Sequence, residues 1–279
     1  MSDRSYPSKL LLFGEYAVVL GGEALAIPYY EFSAKWIFNT GKESGYKNHL
    51  LNFLTFLKQN NFAKTIDITA FEKDLHSGLD LESTIPIGYG VGSSGVVVAA
   101  VYDKYAFEKI DAGDLPALKS FLGEMENYFH KKSSGLDPLV CYLQKPLHIK
   151  SNSAIEILQD VSLENDEFKI KLWDSDESRT TYKMMQVFKE KIKDDGFKKV
   201  IEQEYLRMNT RCIKQFLPLD LKNFIYSLTQ LSIFQYDNFQ FAITEDMQRI
   251  WKHELDWGKR LFKLCGAGGG GFYTYFDLE

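Results

Sequence analysis

The sequence predicts a protein that mixes strands and helices in two domains. Three observations predict it. The length, 279 residues, is at the upper end of what a single hydrophobic core organises. Short apolar runs broken by glycines fill the chain up to Phe38, whereas helical spacing dominates from Thr181 to Trp257. The chain then returns to strand, glycine loop and strand. A boundary near residue 178 follows, separating 1–178 from 179–279.

The first elements read as strands. Lys9–Phe13 is apolar, Gly14 breaks it, Glu15–Leu20 resumes it, and Gly21-Gly22 turns the chain. Leu25–Ile27 and Phe32–Phe38 continue the sheet. From Glu43 to Gln59, apolar residues at Leu50, Leu51, Phe53, Leu54 and Leu57 have helical spacing. Ile66–Ile68 and Leu79–Leu81 flank a His76-Ser77-Gly78 turn and predict a hairpin. Asp114 is an N-cap for a helix whose stripe is Leu118, Leu122, Met125 and Phe129. Glu126 and His130 lie four residues apart beside that stripe, so they point the same way. Strand-like pieces run through Trp173. Helices are then expected over Lys183–Lys193, Phe197–Phe216, Leu219–Phe234 and Thr244–Trp257.

Composition narrows the function. Hydrophobic residues make up 45% and charged residues 25% of the chain, as in proteins with real cores. A net charge of −5 and a pI of about 5.7 argue against a general nucleic-acid binder. No apolar run is long enough to span a bilayer, and Met1–Pro7 lacks the apolar core of a signal peptide. Cys141, Cys212 and Cys265 are far apart and odd in number. They suggest free thiols in a reducing cytoplasm, not a disulfide frame or zinc site.

The most informative stretch is Pro86-Ile-Gly88-Tyr-Gly90-Val91-Gly92-Ser93-Ser94-Gly95, followed at once by an apolar run. It reads as a glycine loop feeding a buried helix. Such a helix start carries unpaired N–H groups and partial positive charge, and glycines let the backbone approach an anion. Phosphate binding follows. Gly90-x-Gly92-x-x-Gly95 also fits the dinucleotide fingerprint, with Asp111 near the acidic position, but Pro86 interrupts the strand that should precede it.

Four motifs in order resemble the GHMP kinase superfamily (galactokinase, homoserine kinase, mevalonate kinase, phosphomevalonate kinase), and mevalonate kinases above all. Ser8–Val18 resembles the first motif, Pro86–Gly95 the second, P-x-x-x-G-[LV]-G-S-S-A, and Lys263–Gly271 the third, K-x-[ST]-G-A-G-G-G-G. Glu126-x-x-x-His130-x-x-x-Ser134-Gly135-x-Asp137 resembles a further mevalonate kinase pattern. The resemblance implies a two-domain α+β fold. Its N-terminal domain would be like the second domain of ribosomal protein S5 and would bind ATP. Its C-terminal domain would be ferredoxin-like with extra helices, and the site would lie in the cleft between the two.

The resemblance also implies an activity: transfer of the ATP γ-phosphate to a small-molecule hydroxyl, with Mg²⁺, the acceptor being mevalonate or a similar hydroxy acid or sugar. It implies no nucleic-acid or membrane partner and leaves room for a homodimer. By motif position, Asp137 and Lys9 are catalytic. Pro86, Gly88, Gly90, Val91, Gly92, Ser93 and Ser94 hold nucleotide, and Ser94 and Glu126 hold the metal. Glu15, Tyr16, His130, Ser134, Gly135, Gly268 and Gly269 face the acceptor, whose carboxylate is assigned to Arg179 or the tail glycines. Taken singly, Asp137 is a turn aspartate, Glu126 a helix-face carboxylate and Lys9 a strand-start lysine. Their joint order gives them weight.

Departures bear on the acceptor. Tyr16 stands where mevalonate kinases usually carry His, Gly95 replaces Ala, and Cys265 replaces Ser or Thr. Lys131-Lys132-Ser133 replaces Gly-Asn-Pro. Two extra lysines suit a more anionic acceptor, so phosphomevalonate or sugar/heptose-phosphate kinase activity is the alternative. Galactokinase is disfavoured because Tyr-Ala-Val, not a Thr-Asp pair, follows Glu15. A nucleotide-binding regulator without turnover and a dinucleotide-dependent oxidoreductase are the alternatives of other classes.

Overall fold

The structure is a computed structural model, and it describes residues 4–38, 46–178 and 181–278. These gather into two compact units interleaved along the chain. The first takes residues through Lys9, Pro28–Pro86 and Gly92–Lys145, and the second takes Leu10–Ile27, Ile87–Val91 and Pro146 onward. The boundary near residue 178 rests on a different criterion, the change from strands to helices: β6 (Phe168–Asp174) is followed by α6 (Thr181–Lys191).

Strands β1 (Ser5–Phe13) and β2 (Ala24–Phe38) each contribute residues to both units, and in the first unit β2 pairs antiparallel with β3 (Leu79–Ser83), from Ala34 opposite Ser83 to Phe38 opposite Leu79. The helices are α1 (Lys47–Gln59), α2 (Ile68–His76), α3 (Ser93–Tyr105), α4 (Leu115–Glu126) and α5 (Leu136–Leu143). The expected start of α1 at Glu43 lies outside the described residues. Val96 to Tyr102 are all buried, so α3 is apolar all round and forms the core of the unit.

Two local expectations differ from the structure. Ile66–Ile68 does not form a hairpin strand. Asp67 caps α2 by accepting from the Ala70 N–H at 2.9 Å, and Ile68, Phe71 and Leu75 form its buried stripe. Glu15–Leu20 does not resume the strand either. Tyr16 adopts a left-handed φ of 59°, and a 3-10 turn follows over Ala17–Leu20. A period-2 pattern cannot register that reversal.

In the second unit, Ala24–Ala26 of β2 pairs with β4 (Leu147–Ile149), which pairs with β5 (Ile155–Ile157). A separate antiparallel sheet has the order β6-β8-β7, with β7 at Arg260–Leu264 and β8 at Phe272–Leu278. Helices α7 (Asp195–Val200) and α8 (Leu206–Phe216) are joined by a π-helical turn, Ile201–Tyr205. Then come α9 (Leu221–Asn238) and α10 (Glu245–Trp257). Phe13, Phe168, Phe216, Phe224 and Phe276 pack ring to ring in its core. Among the described residues no helix is long and apolar enough to cross a membrane.

Candidate active site

The glycine stretch folds as its composition requires. Gly88, Gly90 and Gly92 have φ of 85°, 83° and 84°, a conformation that side chains disfavour. Gly92 is the N-cap of α3, and no side chain caps that helix start. The opening N–H groups of a helix have no partner within it, so Ser93 and Ser94 begin a turn suited to an anion. Val91 is buried and anchors the loop, whereas Pro86 is half-buried. Further along, Gly95 faces the chain at Asp137–Pro138. A Cβ there would lie 2.8 Å from the Asp137 carbonyl carbon and 2.9 Å from the Pro138 nitrogen.

That close approach of α3 and α5 assembles the first unit's polar cluster. Lys9, 4% exposed, points its Nζ to Asp137 Oδ2 at 3.0 Å. Ser94 Oγ donates to Glu126 Oε1 at 2.8 Å and lies 3.1 Å from His130 Nε2. Thus Lys9, Ser94, Glu126, His130 and Asp137, named from dispersed motifs, share one site. Glu126 is the last residue of α4, and Asp137 sits in the first turn of α5, where helix polarity favours an anion. Gly135 starts α5 at φ 73° against the Lys119 carbonyl, and Ser134 Oγ accepts from the Leu136 N–H at 3.3 Å. Both therefore shape the turn that delivers Asp137. Ser133 is the residue that motif matching missed: its hydroxyl donates to Glu126 Oε2. The available signal was its replacement of the usual Pro.

Electrostatics follow from burial. Glu126 is 3% exposed. Desolvation, and then the Asp137 carboxylate, push its pKa up to about 7, against the pull of the Ser133 and Ser94 hydroxyls and Lys9. Burial lowers the pKa of His130, and Lys9 adds to that, while Asp137 opposes it. Burial raises that of the Cys141 thiol, with Asp137 adding to it.

The other predicted residues are engaged inside the second unit. The Glu15 carboxylate forms a buried ion pair with Lys263, which also donates to the Leu264 carbonyl at 2.6 Å. Tyr205, aimed by the π turn, donates to the Glu15 carbonyl at 2.6 Å. Tyr16 stacks on Phe188 and donates to the Ala267 carbonyl at 2.6 Å. Glu15 and Tyr16 thus brace the tail glycine loop. In that loop the Gly269 N–H donates to Ala242 O at 2.6 Å, and a Cβ on Gly268 would meet that same oxygen at 2.3 Å. Tyr89, from the Pro86–Gly95 stretch, packs its ring on Phe272, and a Cβ on Gly271 would lie 2.8 Å from the Tyr89 Cα, so parts of the second and third motifs meet. Arg179 lies outside the described residues.

A metal fits this chemistry in one form. Among the described residues no three His, Cys, Asp or Glu side chains form a metal-holding group. One buried carboxylate with a serine hydroxyl suits Mg²⁺, which takes oxygen donors and is held by one or two carboxylates plus substrate phosphates and water.

Residues 50–145 match the family described as GHMP kinases N terminal domain. A mevalonate kinase of Methanocaldococcus jannaschii is 28% identical over 291 aligned positions, covering 95% of this chain and 88% of that protein. Among solved structures, mevalonate kinase of L. major in complex with R-mevalonate superposes with a TM-score of 0.63 at 18% identity. It covers 98% of this chain and 86% of that one. Phosphomevalonate kinase of Streptococcus pneumoniae, in complex with phosphomevalonate and AMPPNP, gives 0.64 at 14% identity, covering 99% and 92%. Residues 50–145 thus match the GHMP kinase N-terminal domain, and along nearly its whole length the chain is similar to mevalonate kinases in sequence and in fold.

Proposed function

We propose that the protein is an ATP-dependent, Mg²⁺-requiring kinase that phosphorylates the hydroxyl of mevalonate to give phosphomevalonate. The observation that carries this reading is the single cluster of Lys9–Asp137 and Ser94–Glu126 at the start of α3. Phosphoryl transfer asks the protein mainly for positioning and charge neutralisation. The Gly88–Ser94 backbone cradles the nucleotide phosphates. Ser94 and Glu126 would hold Mg²⁺, which when bound would supply charge neutralisation for the phosphate oxygens. Asp137 orients the acceptor hydroxyl and takes its proton as the new O–P bond forms and ADP departs with the old bridging oxygen. Lys9 holds the Asp137 carboxylate in place and offsets charge developing on the γ-phosphoryl group. His130 borders this space and contacts the acceptor.

ADP release with Mg-ATP and a panel of mevalonate, phosphomevalonate, homoserine, galactose and heptose phosphates tests the reading. Turnover on mevalonate is expected, with kcat reduced about 10²–10⁴-fold by Asp137→Asn. Activity on another acceptor overturns the substrate. ATP binding without turnover, indifferent to Asp137→Asn, favours a non-catalytic regulator. A phosphorylated acceptor is the second reading. It is favoured by the exposed Lys131-Lys132 pair between Glu126 and Asp137.

A further inference from the structure

We infer that Ser133 is a positioning residue for phosphoryl transfer, orienting the Glu126 carboxylate and tying it to the turn that presents Asp137. The inference rests on the kinase reading above. Ser133 Oγ donates to Glu126 Oε2 and accepts from the Gly135 N–H at 2.9 Å. Its own N–H donates to Asn127 Oδ1 at 2.8 Å. One hydroxyl therefore bridges the end of α4 to the N-cap of α5.

The geometry of Glu126 explains why this bridge matters. Ser94 engages only Oε1, and one contact leaves a carboxylate free to swing about it. Ser133, in the turn that follows α4, engages Oε2 and fixes the carboxylate plane. It also fixes Gly135, whose left-handed backbone sets the direction of α5 and therefore of Asp137. A proline at this position has neither the hydroxyl nor the N–H, so it can make none of these three bonds. Ser133 thus departs from the motif that the rest of the Glu126–Asp137 stretch resembles. Groups that orient metal-holding side chains commonly change metal affinity or activity about 10–100-fold when removed.

The test compares wild type, Ser133→Ala and Ser133→Thr. Calorimetry measures the affinity for a non-hydrolysable ATP analogue with and without Mg²⁺, and kinetics measures the Mg²⁺ concentration at half-maximal rate. In wild type, Mg²⁺ strengthens analogue binding. Ser133→Ala is expected to raise the Mg²⁺ requirement about tenfold and to remove most of the Mg²⁺-dependent gain in affinity, with the metal-free affinity unchanged. Ser133→Thr, which keeps the hydroxyl, restores both. A wild type that binds analogue tightly with Mg²⁺, and a Ser133→Ala protein that matches it, overturn the role of Ser133 alone. Equal loss of affinity with and without Mg²⁺, or no rescue by Thr, also overturns it, because a merely structural turn residue behaves that way. A wild type that shows neither analogue binding nor turnover overturns the kinase reading itself, and this inference with it.

Discussion

Gly95→Ala separates sequence logic from packing. Family pattern and helix propensity both favour alanine, the latter by up to about 1 kcal/mol. The structure opposes it. The new Cβ would lie 2.8 Å from the Asp137 carbonyl carbon, 2.9 Å from the Pro138 nitrogen and 3.0 Å from the Asp137 Cβ. That is about 0.6 Å inside ordinary contact, and two of the three atoms are backbone, which no rotamer change relieves. Overpacking of this kind costs about 1–3 kcal/mol. Set against the full propensity gain, a net loss of up to about 2 kcal/mol remains, a fall in Tm of up to about 4 °C for a chain of this size. The shift falls on Asp137, so its 3.0 Å pairing with Lys9 is disturbed and kcat should drop by about tenfold or more. Thermal melts beside steady-state kinetics read both. A Gly95→Ala protein with raised Tm and unchanged kcat would refute the packing argument.

Two further outcomes follow from the buried charges. Glu126 has a folded pKa of about 7, above that of an unfolded carboxyl, so the folded state binds the extra proton between the two values. Its contribution to stability is therefore full at acid pH and is lost as pH rises through about 7. Melts of nucleotide-free protein from pH 5 to 8 should show that slope, and Glu126→Gln should flatten it. For the Glu15–Lys263 pair, with both side chains fully buried, Lys263→Met alone should cost about 3–5 kcal/mol by stranding a carboxylate. Urea denaturation should show the double change Glu15→Leu, Lys263→Met to be less damaging than Lys263→Met alone.

How much was legible varies with the residue. The glycine loop, the buried α3 and the strand–loop–strand tail could be read because glycine spacing and apolar runs are local signals. The four-residue spacing of Glu126 and His130 put them side by side, and both reach Ser94, although α4 ends at Glu126 and Phe129 and His130 lie in the turn beyond it. Tyr16 was placed near the acceptor by its motif position, and what that position could not give is its packing: its ring stacks on Phe188 and its hydroxyl donates to the Ala267 carbonyl. Glu15 could be named, but not its partner Lys263, because nothing in a linear pattern joins two charges so far apart in the chain.

The sequence alone determined the chemistry carried: which carboxylates, hydroxyls, lysines and glycines exist, in what order, and the family that this order resembles. Tertiary structure alone decided which of them meet. Asp67 turned an expected strand into a capped helix through one side-chain bond, Gly95 became obligatory because α5 passes against it, and Ser133 acquired a role only where a turn folded its hydroxyl onto Glu126. The physical reason is common to all three. Propensity and periodicity act over a few residues, whereas close packing and hydrogen-bond satisfaction are set by neighbours that only the folded chain supplies.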